Sequence, residues 1–272
     1  MTRRRPSVPA VVTSLVMLVV VAMLAFDWIA ARTGAGVSWS VGDLLPASAR
    51  DQPRRGFEEA GERLVPPATV AQPGTSYAFQ YTLGDSGAPV TWSPCRPVHV
   101  VVDPTDAPAD FEGQVWVALE EVAAATGLVF VNDGLTVEPP SMDRESFQPG
   151  RYGDRWAPVL VGFADDVAVP ELAGDVAGIA SVQMIGSGLS GGANLVSGTV
   201  YLDTELLDPA WGRDPLAYLP VLRHELGHVV GLDHVNDPSQ LMHPSTSGVS
   251  TFQPGDLTGL AELGRGGCAP GV

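Results

Sequence analysis

The sequence predicts an α+β domain, a twisted mixed β-sheet carrying a central helix and a C-terminal helix. Three observations lead there. An almost unbroken apolar run, PVHVVV at 97–102, is the pattern of a strand covered on both faces. A segment of helical apolar spacing at 111–127 follows it, and then several β-rich segments. A second helical segment, at 219–232, comes only after those strands. Strand, helix, strands and helix in that order describe a mixed sheet with helices packed on it.

The folded part is expected to begin near Tyr77. Asp103 and Pro104 end the strand at 97–102. In FEGQVWVALEEVAAATG, Val115, Leu119, Val122 and Ala123 share one helical face, and Gly127 stops the helix. LVFV at 128–131 and APVLVGFA at 157–164 return as strands. GIASVQMI at 178–185 and SGTVYLD at 197–203 add two more across a glycine-rich connection. LPVLRHELGHVVGL at 219–232 then has helical spacing, with Pro220 in the first turn, where its missing N–H costs nothing.

Ahead of this domain (76–272) lie two other segments. Arg3, Arg4 and Arg5 precede 19 uncharged residues, 8–26, long enough as a helix to cross a bilayer core of about 30 Å. Residues 1–31 are therefore expected to be a membrane anchor or a cleaved signal peptide, with the arginines on the cytoplasmic side. Either reading places the rest outside the cytoplasm, single-pass anchored or secreted. Residues 32–75, rich in Ala, Gly, Pro and charge, are expected to be a spacer or short pro-segment without a packed core.

The formal charge is -16, and there is no lysine. Such a surface repels nucleic acid and anionic lipid, so no nucleic-acid partner is expected. The two cysteines, Cys95 and Cys268, lack CxxC spacing. In an oxidising compartment they most simply form one disulfide joining the start of the domain to its end.

Of the five histidines, three stand in HELGHVVGLDH at 224–234. His224 and His228 are four apart and project from one helical face, the spacing at which two imidazoles grip one metal ion. Glu225 points beside that ion, where the general base for a metal-bound water belongs. Gly231 permits the left-handed backbone that ends a helix, and the reversal offers His234 as a third ligand. Three neutral imidazoles leave the fourth position of a zinc ion open to water, as catalytic zinc requires.

HELGHVVGLDH, with SQLMHPS at 239–245, resembles the metzincin metalloproteases and is most similar within them to the matrixins. The resemblance implies a metzincin-like catalytic domain with one catalytic zinc on His224, His228 and His234. It also implies that Glu225 is general base and acid, and that Met242 forms a methionine turn beneath the metal as a platform. More loosely, TWSPCRPVHVVV at 91–102 resembles the start of the matrixin sheet. SGTVYLDTEL at 197–206 resembles the strand before the zinc helix, which in that family leads into calcium ligands. FQPGDLTGLAELG at 252–264 resembles the closing helix. Val235 stands where matrixins usually have serine and His243 where tyrosine is common, and there is no PRCGxPD latency motif. Only His99 and His243 remain for the second zinc many matrixins carry, and Tyr201 stands where one of its ligands would fall, so no second zinc is expected. The candidates for calcium are Asp203 and Asp175, with Asp165 and Asp166 in the same acidic loop.

Together these readings describe a zinc metalloendopeptidase acting on extracellular proteins or peptides, with the substrate paired to the strand near 178–185. The alternative is a membrane-tethered, non-catalytic module with a structural zinc. That module would need a fourth protein ligand, for which Asp233 and His243 are the candidates, and it has no use for Glu225.

Overall fold

The computed structural model describes residues 45–186, 192–208, 216–245 and 247–272. Its centre is a six-stranded sheet. The strands are β1 (Thr91–Trp92), β2 (Val98–Val102), β3 (Phe130–Leu135), β4 (Val159–Ala164), β5 (Gly178–Gly186) and β6 (Ala193–Asp203). The order is β3-β2-β4-β6-β5, with β1 parallel to the start of β6. Every pairing is parallel except that of β5, which runs antiparallel along β6 and forms one edge. As its apolar run predicts, β2 is central, between β3 and β4.

Alternate residues go to opposite faces of this sheet. Val100, Val102, Val161, Phe163 and Leu202 face one core, shared with helices α1 (Phe111–Thr126), α2 (Leu219–Val230) and α3 (Pro254–Leu263). Val101, Leu160, Ala164 and Tyr201 face the other, closed by Val169 and Leu172 from the β4–β5 connection. Gly127 ends α1 in the left-handed region at φ 73°. The expected strand at 128–131 starts later, at Phe130, because Leu128 and Val129 are taken up in leaving the helix. The expected strand at 197–203 starts earlier, at Ala193.

One expectation is corrected here. Among the described residues no helix is long and apolar enough to cross a membrane. That stands against the single-pass anchoring, and residues 8–26 themselves lie outside the described residues. Of residues 32–75, expected as a spacer or pro-segment without a packed core, the described part from 45 on buries little and lies along the domain as a strap. Ala60 and Leu64 donate backbone hydrogen bonds to the carbonyls of Cys95 and Pro94. The Arg63 guanidinium donates to the carbonyls of Gly264 and Gly266, and Gly74 N–H to that of Pro254. Backbone hydrogen bonds, which composition does not encode, hold this segment down. The disulfide Cys95–Cys268 is formed, with the Cα atoms 5.2 Å apart.

Candidate metal centre

Helix α2 carries the first two histidines, and its setting is fixed from several sides. Arg223 makes a two-pronged ion pair with Glu121 of α1, at 2.7 and 2.8 Å. Trp92 Nε1–H donates to the carbonyl of Val229 at 2.8 Å, satisfying one of the carbonyls a helix end leaves free. Gly231 then ends the helix at φ 114°. The chain reverses, and Leu232–Asp233 pairs antiparallel with Ala78–Phe79. That short ribbon returns His234 to the helix.

The three imidazoles converge. The Nε2 atoms of His224, His228 and His234 lie 3.0–3.1 Å from one another. His224 Nδ1 meets the Leu241 carbonyl at 2.7 Å, and His228 Nδ1 meets that of Leu232 at 2.8 Å. A carbonyl only accepts, so both Nδ1 atoms carry the proton and both Nε2 atoms keep a free lone pair. Burial pushes His224 and His228 down to about 4 and also lowers His234, so the rings are neutral at neutral pH. Three neutral imidazoles aimed at one point fit a divalent transition metal, which takes such nitrogens at about 2.0–2.1 Å for zinc. The donor set passes that test.

Glu225 points into the same cleft from the helix side. Its residue is only 6% exposed, and its carboxylate has no hydrogen-bond partner among the described residues. Burial pushes that carboxyl up to about 8. A dication at the histidines works the other way and favours the ionised form. The cleft encloses about 620 Å³ between Asp175–Ala180 on one side and His243–Ser245, Ser247 and Val249 on the other.

Met242 is buried beneath α2. A Cβ on Gly227 would lie 2.7 Å from its Sδ, so the glycine between the two helix histidines is what admits the methionine. The methionine turn is held by a residue the sequence reading did not single out. Asp256, fully buried at the start of α3, accepts from the N–H groups of Leu241, Met242 and Gln253. In return Gln240 Oε1 accepts from Gly255 and Asp256. The capping-box pattern of Gln253 and Asp256 was a legible signal for it. Gly178 was also missed. A Cβ there would meet Val221 Cγ1 at 2.8 Å and Glu225 Cγ at 3.1 Å, so glycine lets the edge strand approach the carboxylate. An isolated glycine at a strand start is the available sign.

The calcium candidates are not brought together. Asp203 Oδ1 accepts from Glu205 N–H and closes the turn after β6, Asp165 Oδ1 accepts from Ala168 N–H, and Asp175 lines the cleft. Among the described residues two groups of three ligand-type side chains occur, and none of these aspartates is in either. One group is the histidines. The other is Glu59 with the two disulfide-bonded cysteines, whose sulfurs are already committed. His243 lines the cleft, its Nδ1 meeting the Ser245 carbonyl at 2.9 Å.

A mixed sheet with an antiparallel edge strand over a helix that bears two histidines, a glycine-ended reversal that returns the third, and a methionine turn below define a metzincin-like domain. The matrixin family model matches residues 172–263, from before β5 to the end of α3. Over that stretch the chain is similar to the matrixins, a family of metallopeptidases. No match was found among curated proteins.

Proposed function

We propose that the chain is a zinc-dependent endopeptidase in which Glu225 moves the proton. One observation carries this reading: three converging Nε2 atoms and an unpartnered carboxylate share the floor of a cleft walled by a free strand edge. Among the described residues β5 pairs only with β6, so its outer edge is open to an extended peptide. Gly178, Ile179 and Ala180 present that edge beside Glu225. Val221, Leu241 and Val249 offer apolar surface to one substrate side chain.

A zinc ion on His224, His228 and His234 supplies Lewis acidity to the scissile carbonyl and to a water. The remaining work falls to the chain. The Nδ1–H bonds to Leu241 and Leu232 hold two of the rings in the tautomer that leaves Nε2 free. The Glu225 carboxylate takes a proton from the attacking water and delivers it to the leaving nitrogen. The edge of β5 holds the peptide backbone in line with that carboxylate.

The test is Glu225→Gln. Elemental analysis should still find one zinc per chain, while cleavage of a mixed peptide library, followed by mass spectrometry, falls by about 10²–10⁴-fold. Undiminished cleavage would remove Glu225 from this role.

A further inference from the structure

The strand that pairs with Leu232–Asp233 ends in a side chain that reaches the metal centre. Gln80 N–H donates to the Gly231 carbonyl at 3.0 Å, just after the Ala78–Phe79 ladder. Its side-chain amide lies 3.1 Å from His228 Nδ1. His224 and His228 both rest Nδ1 on a backbone carbonyl, and it is His228 that also meets this side-chain amide. Gln80 thus brings a side chain, from nearly 150 residues upstream, to the back of a metal ligand.

In this structure the amide nitrogen faces Nδ1, and Oε1 is buried without a partner. An unpaired buried carbonyl oxygen is costly. When a metal occupies Nε2, Nδ1 must carry its hydrogen and becomes a donor only. Its two neighbours are then the Leu232 carbonyl and the Gln80 amide. A half-turn about the last side-chain bond exchanges the amide oxygen and nitrogen and sets Oε1 against Nδ1–H. That rotation replaces a donor-to-donor contact by a hydrogen bond, giving Oε1 a donor and Nδ1–H a second acceptor.

We propose that Gln80 is a positioning residue for the metal: beside the Leu232 carbonyl that holds the tautomer, it is a second acceptor for His228 Nδ1–H, fixes that ring's orientation, and so tunes the affinity of the three-histidine site for zinc. The proposal rests on the reading of the histidines as a zinc site and adds the partner that tunes them. Outer partners of this kind change metal affinity by about 10–100-fold when removed.

The experiment measures zinc affinity of the full chain by competition with a chromophoric chelator, for wild type, Gln80→Leu, Gln80→Ala and Gln80→Glu. The leucine and alanine variants keep the Leu232 carbonyl but lack this second acceptor, and should bind zinc about 10-fold more weakly, at the low end of the range for such partners. The glutamate variant keeps an acceptor and adds charge behind the ligand, so its affinity should equal or exceed that of wild type. Leucine and alanine variants that bind like wild type would overturn the proposal while leaving the zinc site standing. A glutamate variant as weak as the other two would also overturn it, by reducing Gln80 to packing. A wild-type chain that binds no zinc would overturn both this and the proposed function.

Discussion

The cleft and the region around the disulfide are assembled in different ways. At the cleft, three ligands and the proposed base come from eleven consecutive residues, 224–234. Around the disulfide, Glu59 from the strap accepts from Ser93 Oγ and from Ala269 N–H, both at 2.6 Å, and lies 3.7 Å from Arg96. Arg96 in turn donates to the Val272 carbonyl. These partners are up to 210 positions apart in sequence. In the first region, polar groups turn toward an open space where a metal and substrate fit. In the second they turn toward each other and exclude solvent. On the proposed function the first arrangement serves chemistry and the second cohesion, so damage to each should show in different measurements.

The largest expected effect separates them. Glu59→Ala removes the acceptor of two short hydrogen bonds and leaves Arg96 without its buried partner. Breaking such a buried pair from one side costs about 3–5 kcal/mol. Denaturant unfolding should show that loss, while the folded fraction keeps the zinc affinity of the wild type. A parallel fall in zinc affinity would break the separation and couple the two regions.

Gly178→Val is the converse. Its branched side chain meets Val221 and the Glu225 stem at distances that force one of them to move. Misplacing a reacting group by about 1 Å costs roughly 10²-fold in turnover. Peptide cleavage should drop by that order, with zinc content unchanged and a thermal midpoint close to wild type. A variant that cleaves normally would show that the approach of β5 to Glu225 does not matter to the reaction.

The same contrast explains what the sequence made legible. The helix from 219 and the shared face of His224 and His228 follow from spacing of 3.6 residues per turn, and the return of His234 from the glycine stop at 231, local rules that act over a dozen positions. The central position of β2 followed from its apolar run, and the disulfide from a count of two cysteines. The strap did not, because a Pro- and Gly-rich composition looks the same whether its backbone faces water or other carbonyls. Gln80 and Glu59 carry no local pattern either, since their partners are set by how distant segments cross. Asp256 lies between these cases: its capping pattern is local, but its hold on Leu241 and Met242 is not.

The smallest expected effect lies at the outer end of the strap. Arg50 and Arg54 both reach Asp154, at 2.6 and 2.7 Å, and Arg54 is more than half exposed. Partial burial pushes the Asp154 carboxyl up, but the hydrogen bonds from the two arginines outweigh it and hold the group below its ordinary range. A carboxyl whose folded value is depressed stabilises the fold above its unfolded value, near 3.9, and loses that contribution as pH falls through the lower folded value. Asp154→Asn should therefore cost about 1 kcal/mol or less at neutral pH, the range for pairs near the surface. The difference from wild type should shrink on acidification below about pH 4, where the wild-type group is itself becoming neutral. It should also shrink in high salt, which screens exposed charges. Urea midpoints of both proteins at pH 7 and pH 3 measure it. A difference that grows in acid would mean that Asp154 holds the strap by something other than its charge.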